Sequence, residues 1–422
     1  MQTTSLALDH LLRAIGDPEL ELRGIGPGHA EFHRAVAIRA AAGVLAKTPQ
    51  AFPAIAGAIQ SAHGVALPPE TRAHLAAAQA WMAGNPVLAA SCYASILERW
   101  PRDLLALRLL QSCYFFLGWH ERFFPAIDAV MPAWAHDRSD FEFVLAMAAF
   151  AHAENGDAAY AEVLGRKALA NDPACPMGVH AVAHAIAESG RDGAGAQWLR
   201  DQFAHWAGES RMRTHNAWHL AMFDAGHGHV ESALGIFDTW LLPASTRSQL
   251  DACDATALLW RIPAGSAGDD GRWRKVSDAF ELTLTPAFWP YVDLHAGLAH
   301  LAAGQTARLQ RLTQAIERCA EGADFAAARA RRITRPGLRA LNAWAEGRHG
   351  EAAALLAGLQ PLLIEAGGSR VQLEIFDSIA REAVHQHRTR SLGSQRVLPA
   401  AGIARPHFGA DLVPMIFEHY PA

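Results

Sequence analysis

The sequence predicts an all-α protein, a tetratricopeptide-like α-α superhelix built as a solenoid of antiparallel helix pairs. Two observations carry this. Of the 422 residues, 51% are hydrophobic, chiefly Ala and Leu, and alternating strand-type patterning is scarce. A helical phrase also recurs: GNPVLAASCYASILERWP begins at Gly84 and GDAAYAEVLGRKALANDP at Gly156, each with its glycine and closing proline 17 residues apart. Glycine ends a first helix, small residues allow close packing of a second, and proline opens the next unit.

Residues 1–69 read as an N-terminal helical cap. Candidate helices are Ser5–Ile15, His29–Leu45 and Phe52–Ala62, separated by GDPE, GIGPG and HGVALPPE. Residues 70–366 read as the repeats. Gly84, Gly118, Gly156, Gly190 and Gly226 end successive first helices, at steps of 34, 38, 34 and 36 residues. The pattern then loosens. Leu250–Arg261 and Arg272–Leu282 form a pair around the insertion IPAGSAGDDG, and Ala287–Ala303 pairs with Thr306–Cys319. A short helix, Asp324–Arg332, stops before Pro336. Pro336–Glu346 pairs with Glu351–Ala366. Residues 367–422 hold a last helix, Val371–His385, and a tail whose apolar phrase DLVPMIFEHYP suits docking on a second subunit, a homodimer.

Composition narrows the function. The net charge of −5 and the lack of a basic stripe with interleaved aromatics argue against nucleic acid as a partner. Five scattered cysteines (Cys92, Cys113, Cys175, Cys253, Cys319) form no CxxC pair, which fits a reducing compartment. The N-terminus lacks the charged-then-apolar pattern of a signal peptide, and no apolar run approaches the ~20 residues that span a bilayer. The expectation is a cytoplasmic protein with no membrane partner. P-loop and GxSxG phrases are absent, and GGSR at 367–370 reads as a helix end and turn.

The chemistry concentrates in histidine. Two HxxxH phrases, His180 with His184 and His215 with His219, lie 35 residues apart at both positions. Residues four apart share a helix face, and one repeat carries that face to the neighbouring helix. Adding 36 to 215 and 35 to 219 reaches Asp251 and Asp254, and the next first helix carries Asp293 and His295. The register predicts a column, His184, His219, Asp254, His295, along a concave groove. Asp254 and Arg261, seven apart on one helix, share a face and could form an ion pair. Trp206, Trp218, Phe223, Trp260, Trp273, Phe288, Trp289 and Tyr291 cluster nearby, as core or as an aromatic wall.

Three uses fit these histidines. They suit core groups hydrogen-bonded across stacked helices. They suit acid–base work on a bound small molecule, because imidazole titrates near neutrality and a carboxylate can fix its tautomer. They also suit a metal ion held by His180, His184, His215 and His219, although HxxxH lacks the glutamate of HExxH. The leading expectation is a pocket that binds a small molecule without a cofactor. His184 and His219 would be catalytic, Asp254 would orient an imidazole, and His180, His215 and His295 would complete the wall. Asn216, Trp218, Arg261, Asp293 and His74 would bind ligand. A scaffold holding a protein partner's peptide in the groove is the alternative, as is a metal-dependent enzyme.

Eight phrases in order, ETRAHLAAAQAWMAGN, RWPRDLLALRL, GVHAVAHAIAESGR, THNAWHLAMF, LDACDATALLWRI, GRW, DLHAGLAHLAAG and GGSRVQLEIF, span residues 70–376. In these the chain resembles the tetratricopeptide-repeat protein 38 family. The resemblance implies the helical-repeat fold but no settled activity. It carries over His74, Arg102, Asp103, His180, His184, His215, Asn216, Trp218, His219, Asp254, Arg261, Asp293, His295, Ser369 and Gln372. There are two departures. Ala187 stands where the family has an acid, which weakens a HxxxHxxE metal set. Ala217 stands where it has an aromatic ring, which implies a wider pocket.

Overall fold

The computed structural model describes residues 3–134, 140–262 and 271–391. All regular structure among them is helical, and it runs as consecutive pairs. The duplicated glycine phrase explains how a pair is made. Gly84 and Gly156 take left-handed φ of 75° and 89°, which ends the first helix. The residue after each glycine caps the second helix: Asn85 Oδ1 accepts from Leu88 N–H (3.0 Å), and Asp157 Oδ1 from Tyr160 N–H (3.2 Å). Such a cap contributes about 1 kcal/mol. Prolines open the first turns of Pro69–Met82, Pro176–Glu188 and Pro290–Ala302, where a missing N–H costs nothing.

First helices pack on first helices from Leu104–Leu117 to Arg335–Ala345, so the face that carries the histidine phrases is continuous. Both ends of the described chain fold back on this stack. Arg13 binds Asp172 at 2.5 Å, and Ser210 Oγ donates to the Arg13 carbonyl at 2.6 Å. The last helix, Arg370–Ser391, packs on Pro176–Glu188 and Gln249–Arg261. Along its middle the first-helix face is buried, at His184, His219 and Asp254, where an open groove was expected.

Several boundaries differ from expectation. The segment after Asp324 does not stop before Pro336. It runs from Phe325–Arg329 through a π-turn, Ala330–Thr334, into Arg335–Ala345. A second π-turn, Phe237–Leu241, precedes Pro243 at the same offset. A widened turn accommodates a proline whose N–H cannot join the ladder. The helix expected over Glu351–Ala366 ends at Leu359 and continues as a 3₁₀ segment, because Pro361 has no N–H for the Ala357 carbonyl. The helix expected from Ala287 starts at Pro290, because Ala287 sits at φ 67°. Most of the expected insertion (263–270) and the apolar phrase 411–421 lie outside the described residues. No helix among the described residues is long and apolar enough to cross a membrane.

Candidate functional site

The four histidines of the two HxxxH phrases form one cluster. A ligand nitrogen from each of His180, His184, His215 and His219 lies within 4.8 Å of the others. Ring centroids are 4.4 Å apart for His180 and His184, 4.7 Å for His184 and His219, and 4.9 Å for His215 and His219. His180 and His215 meet across the helices at 3.1 Å, Nε2 to Nε2. This follows from the 35-residue register: two i,i+4 pairs on neighbouring helices place four rings around one point. The arrangement is a ring of four rather than the expected column. His184 is fully buried and His219 nearly so, while the His215 side chain keeps 16% exposure.

Two carboxylates hold the cluster from behind. Asp254 Oδ2 lies 2.6 Å from Nδ1 of His215. Its other oxygen accepts from Gln372 Nε2 at 3.2 Å. Glu154 Oε1 lies 3.3 Å from His184 Nδ1, a charge contact and not an aligned hydrogen bond. Its other oxygen accepts the Arg370 backbone N–H at 2.9 Å and faces His120 Nδ1 at 3.5 Å. The segment 368–372 thus touches both carboxylates. With Nδ1–H of His215 given to Asp254, a neutral ring carries its lone pair on Nε2, facing His180.

Electrostatics separate the rings. Burial pushes His180 well down, and charge on His184, His215 and Arg108 adds to this. Burial also lowers His184, outweighing the pull of Glu154. For His215 the balance reverses: burial pushes it down, but the charge and hydrogen bond of Asp254 raise it above the usual range. His180 and His184 are neutral near pH 7, the form that binds metal.

Apolar rings enclose the set. Phe150 stacks on His180 at 5.4 Å and 23° and meets His184 edge-on at 5.1 Å. Trp218 stacks on His215 at 5.1 Å and 13°. Trp206, Trp218, Phe223, Trp289 and Tyr291 are buried, which is a core role. Asn216, beside His215, is fully buried, and neither its Oδ1 nor its Nδ2 has a protein partner.

Other expected site residues lie elsewhere. His295 does not join the ring: its Nδ1 donates to the Tyr291 carbonyl at 2.7 Å, and its ring packs on Tyr291 and Phe376. Asp254 and Arg261 do not pair. Arg261 reaches Glu374 at 3.6 Å and the Val371 carbonyl at 3.1 Å, because Asp254 is taken by His215 and Gln372. Asp293 Oδ1 accepts from Ala287 N–H at 3.2 Å, and burial pushes this carboxyl up to about 8. His74 pairs with Asp103 at 2.7 Å, and Asp103 also caps Leu104–Leu117 through Ala106 N–H.

Glu154 escaped the sequence reading. It lies off the 35-residue register, since 184 − 35 reaches Ala149, and it reads as an ordinary polar helix end. Its one signal is an acid within the apolar helix FEFVLAMAAFAHAE. It also answers the departure at Ala187: a carboxylate reaches His184 from the neighbouring helix.

The fold and the cluster together define a tetratricopeptide-like, all-α helical-repeat protein with a buried histidine cluster. No family model matches the chain. Among solved structures it is similar to a monomeric mutant of IFIT1 with Gppp-AAAA, at 14% identity and TM-score 0.42, over 93% of each chain. It is also similar to the human IFIT1 dimer with m7Gppp-AAAA, at 13% identity and TM-score 0.39, over 93% of this chain and 94% of that one.

Proposed function

We propose that this protein is a metal-binding helical-repeat protein, a member of the tetratricopeptide-repeat protein 38 family, in which His180, His184, His215 and His219 hold one transition-metal ion. The observation that carries this reading is the convergence of four imidazole nitrogens within 4.8 Å in a buried site. Two nitrogens bound to one ion at 2.0–2.1 Å sit about 3.3 Å apart in a tetrahedron, close to the 3.1 Å between His180 and His215. Ring rotations would bring the other nitrogens, now within 4.8 Å of one another, to that spacing. Carboxylates behind His215 and His184 are the partners that metal-bound imidazoles use to fix tautomer and basicity. Imidazole donors suit Zn, Cu, Fe or Ni. An ion that takes five or six ligands keeps positions for a small molecule, which it would polarise as a Lewis acid. The His215 side chain, which keeps 16% exposure while His184 and His219 are buried, marks the side from which that molecule would arrive.

A second reading, acid–base chemistry by His215 without a metal, rests on the Asp254–His215 pair, which raises that imidazole. Metal content separates the two. The purified wild-type protein is expected to hold about one ion per chain, and a folded His180→Ala/His219→Ala variant is expected to lose it. A wild-type protein that retains no ion after incubation with Zn, Cu, Fe or Ni excludes the metal reading.

A further inference from the structure

Two cations near the histidine ring have no counter-ion among the described residues. Lys47 ends the helix Phe32–Leu45 in a left-handed conformation (φ 48°), with its backbone carbonyl held by Gln249 Nε2 at 2.9 Å. Only 7% of it is exposed, and its ammonium lies 5.7 Å from the Phe115 ring. Phe115 meets Phe150 at 6.3 Å, and Phe150 stacks on His180. Half-buried Arg108 stands seven residues before Phe115 on the same helix, so the two share the face that the Lys47 ammonium covers, and its charge acts on Lys47 and His180. Its Nη1 donates to Gln111 Oε1 at 3.4 Å. Gln111 is 4% exposed, and its Nε2 has no protein partner. Among the described residues, no carboxylate stands within ion-pair distance of Lys47 or Arg108.

A buried charge without a partner is costly, and folded proteins pair it or neutralise it. Burial, then the charge of Arg108, lowers Lys47 to about 7, and burial lowers Arg108 to about 10. An arriving anion reverses both effects. We propose that Lys47, Arg108 and Gln111 form an anion subsite that takes the carboxylate or phosphate group of the small molecule handled at the histidine cluster. The guanidinium offers paired donors to such a group, the ammonium a point charge and the amide a neutral donor. The subsite's role in placing a substrate rests on the metal reading above. Its ability to bind an anion does not.

Calorimetric titration with inorganic phosphate and with succinate tests this, on the wild-type protein and on Lys47→Met, Lys47→Arg and Arg108→Gln. Saturable binding at one site per chain is expected, weakened by about 10–100-fold in Lys47→Met and Arg108→Gln and largely kept in Lys47→Arg. Stronger binding of one probe assigns the subsite to phosphate or to carboxylate. Metal content measured on the same samples is expected to be unchanged. Failure of both probes to bind, or equal binding by all variants, overturns the subsite and leaves the metal centre standing. Loss of metal from the wild-type protein with anion binding intact overturns the metal centre and leaves the subsite.

Discussion

Asp254 Oδ2 lies 2.6 Å from Nδ1 of His215, on the neighbouring helix. That pair fixes which nitrogen of His215 faces the other three imidazoles. Asp254→Asn keeps the shape and removes the charge. Metal affinity is expected to fall by about 10–100-fold, as for other carboxylates behind a ligand, with the fold intact. Chelator competition measures this, and unchanged affinity would show that Asp254 does not tune a ligand.

Gly367 and Gly368 let the last helix reach the cluster. Both have left-handed φ, 83° and 89°. A Cβ on Gly368 would stand 2.7 Å from the Tyr291 ring. Gly368→Ala is expected to cost about 1–3 kcal/mol in urea denaturation. It should also weaken metal binding, because Arg370 N–H and Gln372 move off Glu154 and Asp254. A variant with wild-type stability and affinity would contradict this coupling.

The buried Asn216 amide has no protein partner. Asn216→Leu removes an uncompensated polar group at similar size, so stability is expected to rise by about 1–2 kcal/mol. Ligand binding should weaken at the same time, the trade-off typical of a functional polar group. A destabilised variant would show that the amide has an internal role instead.

Stability should fall on mild acidification through His300. This ring is 1% exposed and bonded through Nδ1 to Ser277 Oγ at 2.8 Å. Burial, aided by Arg308 and Arg311, lowers it from 6.5 to about 4. Between those values the unfolded chain binds the proton and the folded chain does not. The contribution is therefore complete above pH 6.5 and shrinks as pH falls towards 4, by about 3 kcal/mol in all. His295 is lowered to about 4 and acts with the same sign. Urea melts at pH 7.5 and 5.0 should show a smaller pH difference in His300→Gln than in the wild-type protein. An equal difference would contradict the assignment.

The repeat made much of this legible. Glycine and proline spacing marks helix ends because both residues act on the local backbone, and the register brings His180, His184, His215 and His219 together. What the register misses is set by tertiary contact. Glu154 reaches His184 from a position outside the repeat. Gln372 reaches Asp254 only because the last helix folds back. The packing of the last described helix on Pro176–Glu188 and Gln249–Arg261, where an open groove was expected, has no periodic signal. The π-turns before Pro243 and Pro336 likewise carry no mark beyond the proline itself.

In the proposed site four imidazoles share one ion. X-ray absorption at the edge of the bound metal in the wild-type protein tests it most directly. A nitrogen shell with the outer-shell scattering of four imidazoles is expected, at about 2.0–2.1 Å if the ion is zinc, falling to three in a His219→Ala protein. A shell without imidazole scattering, or no bound ion at all, would contradict it.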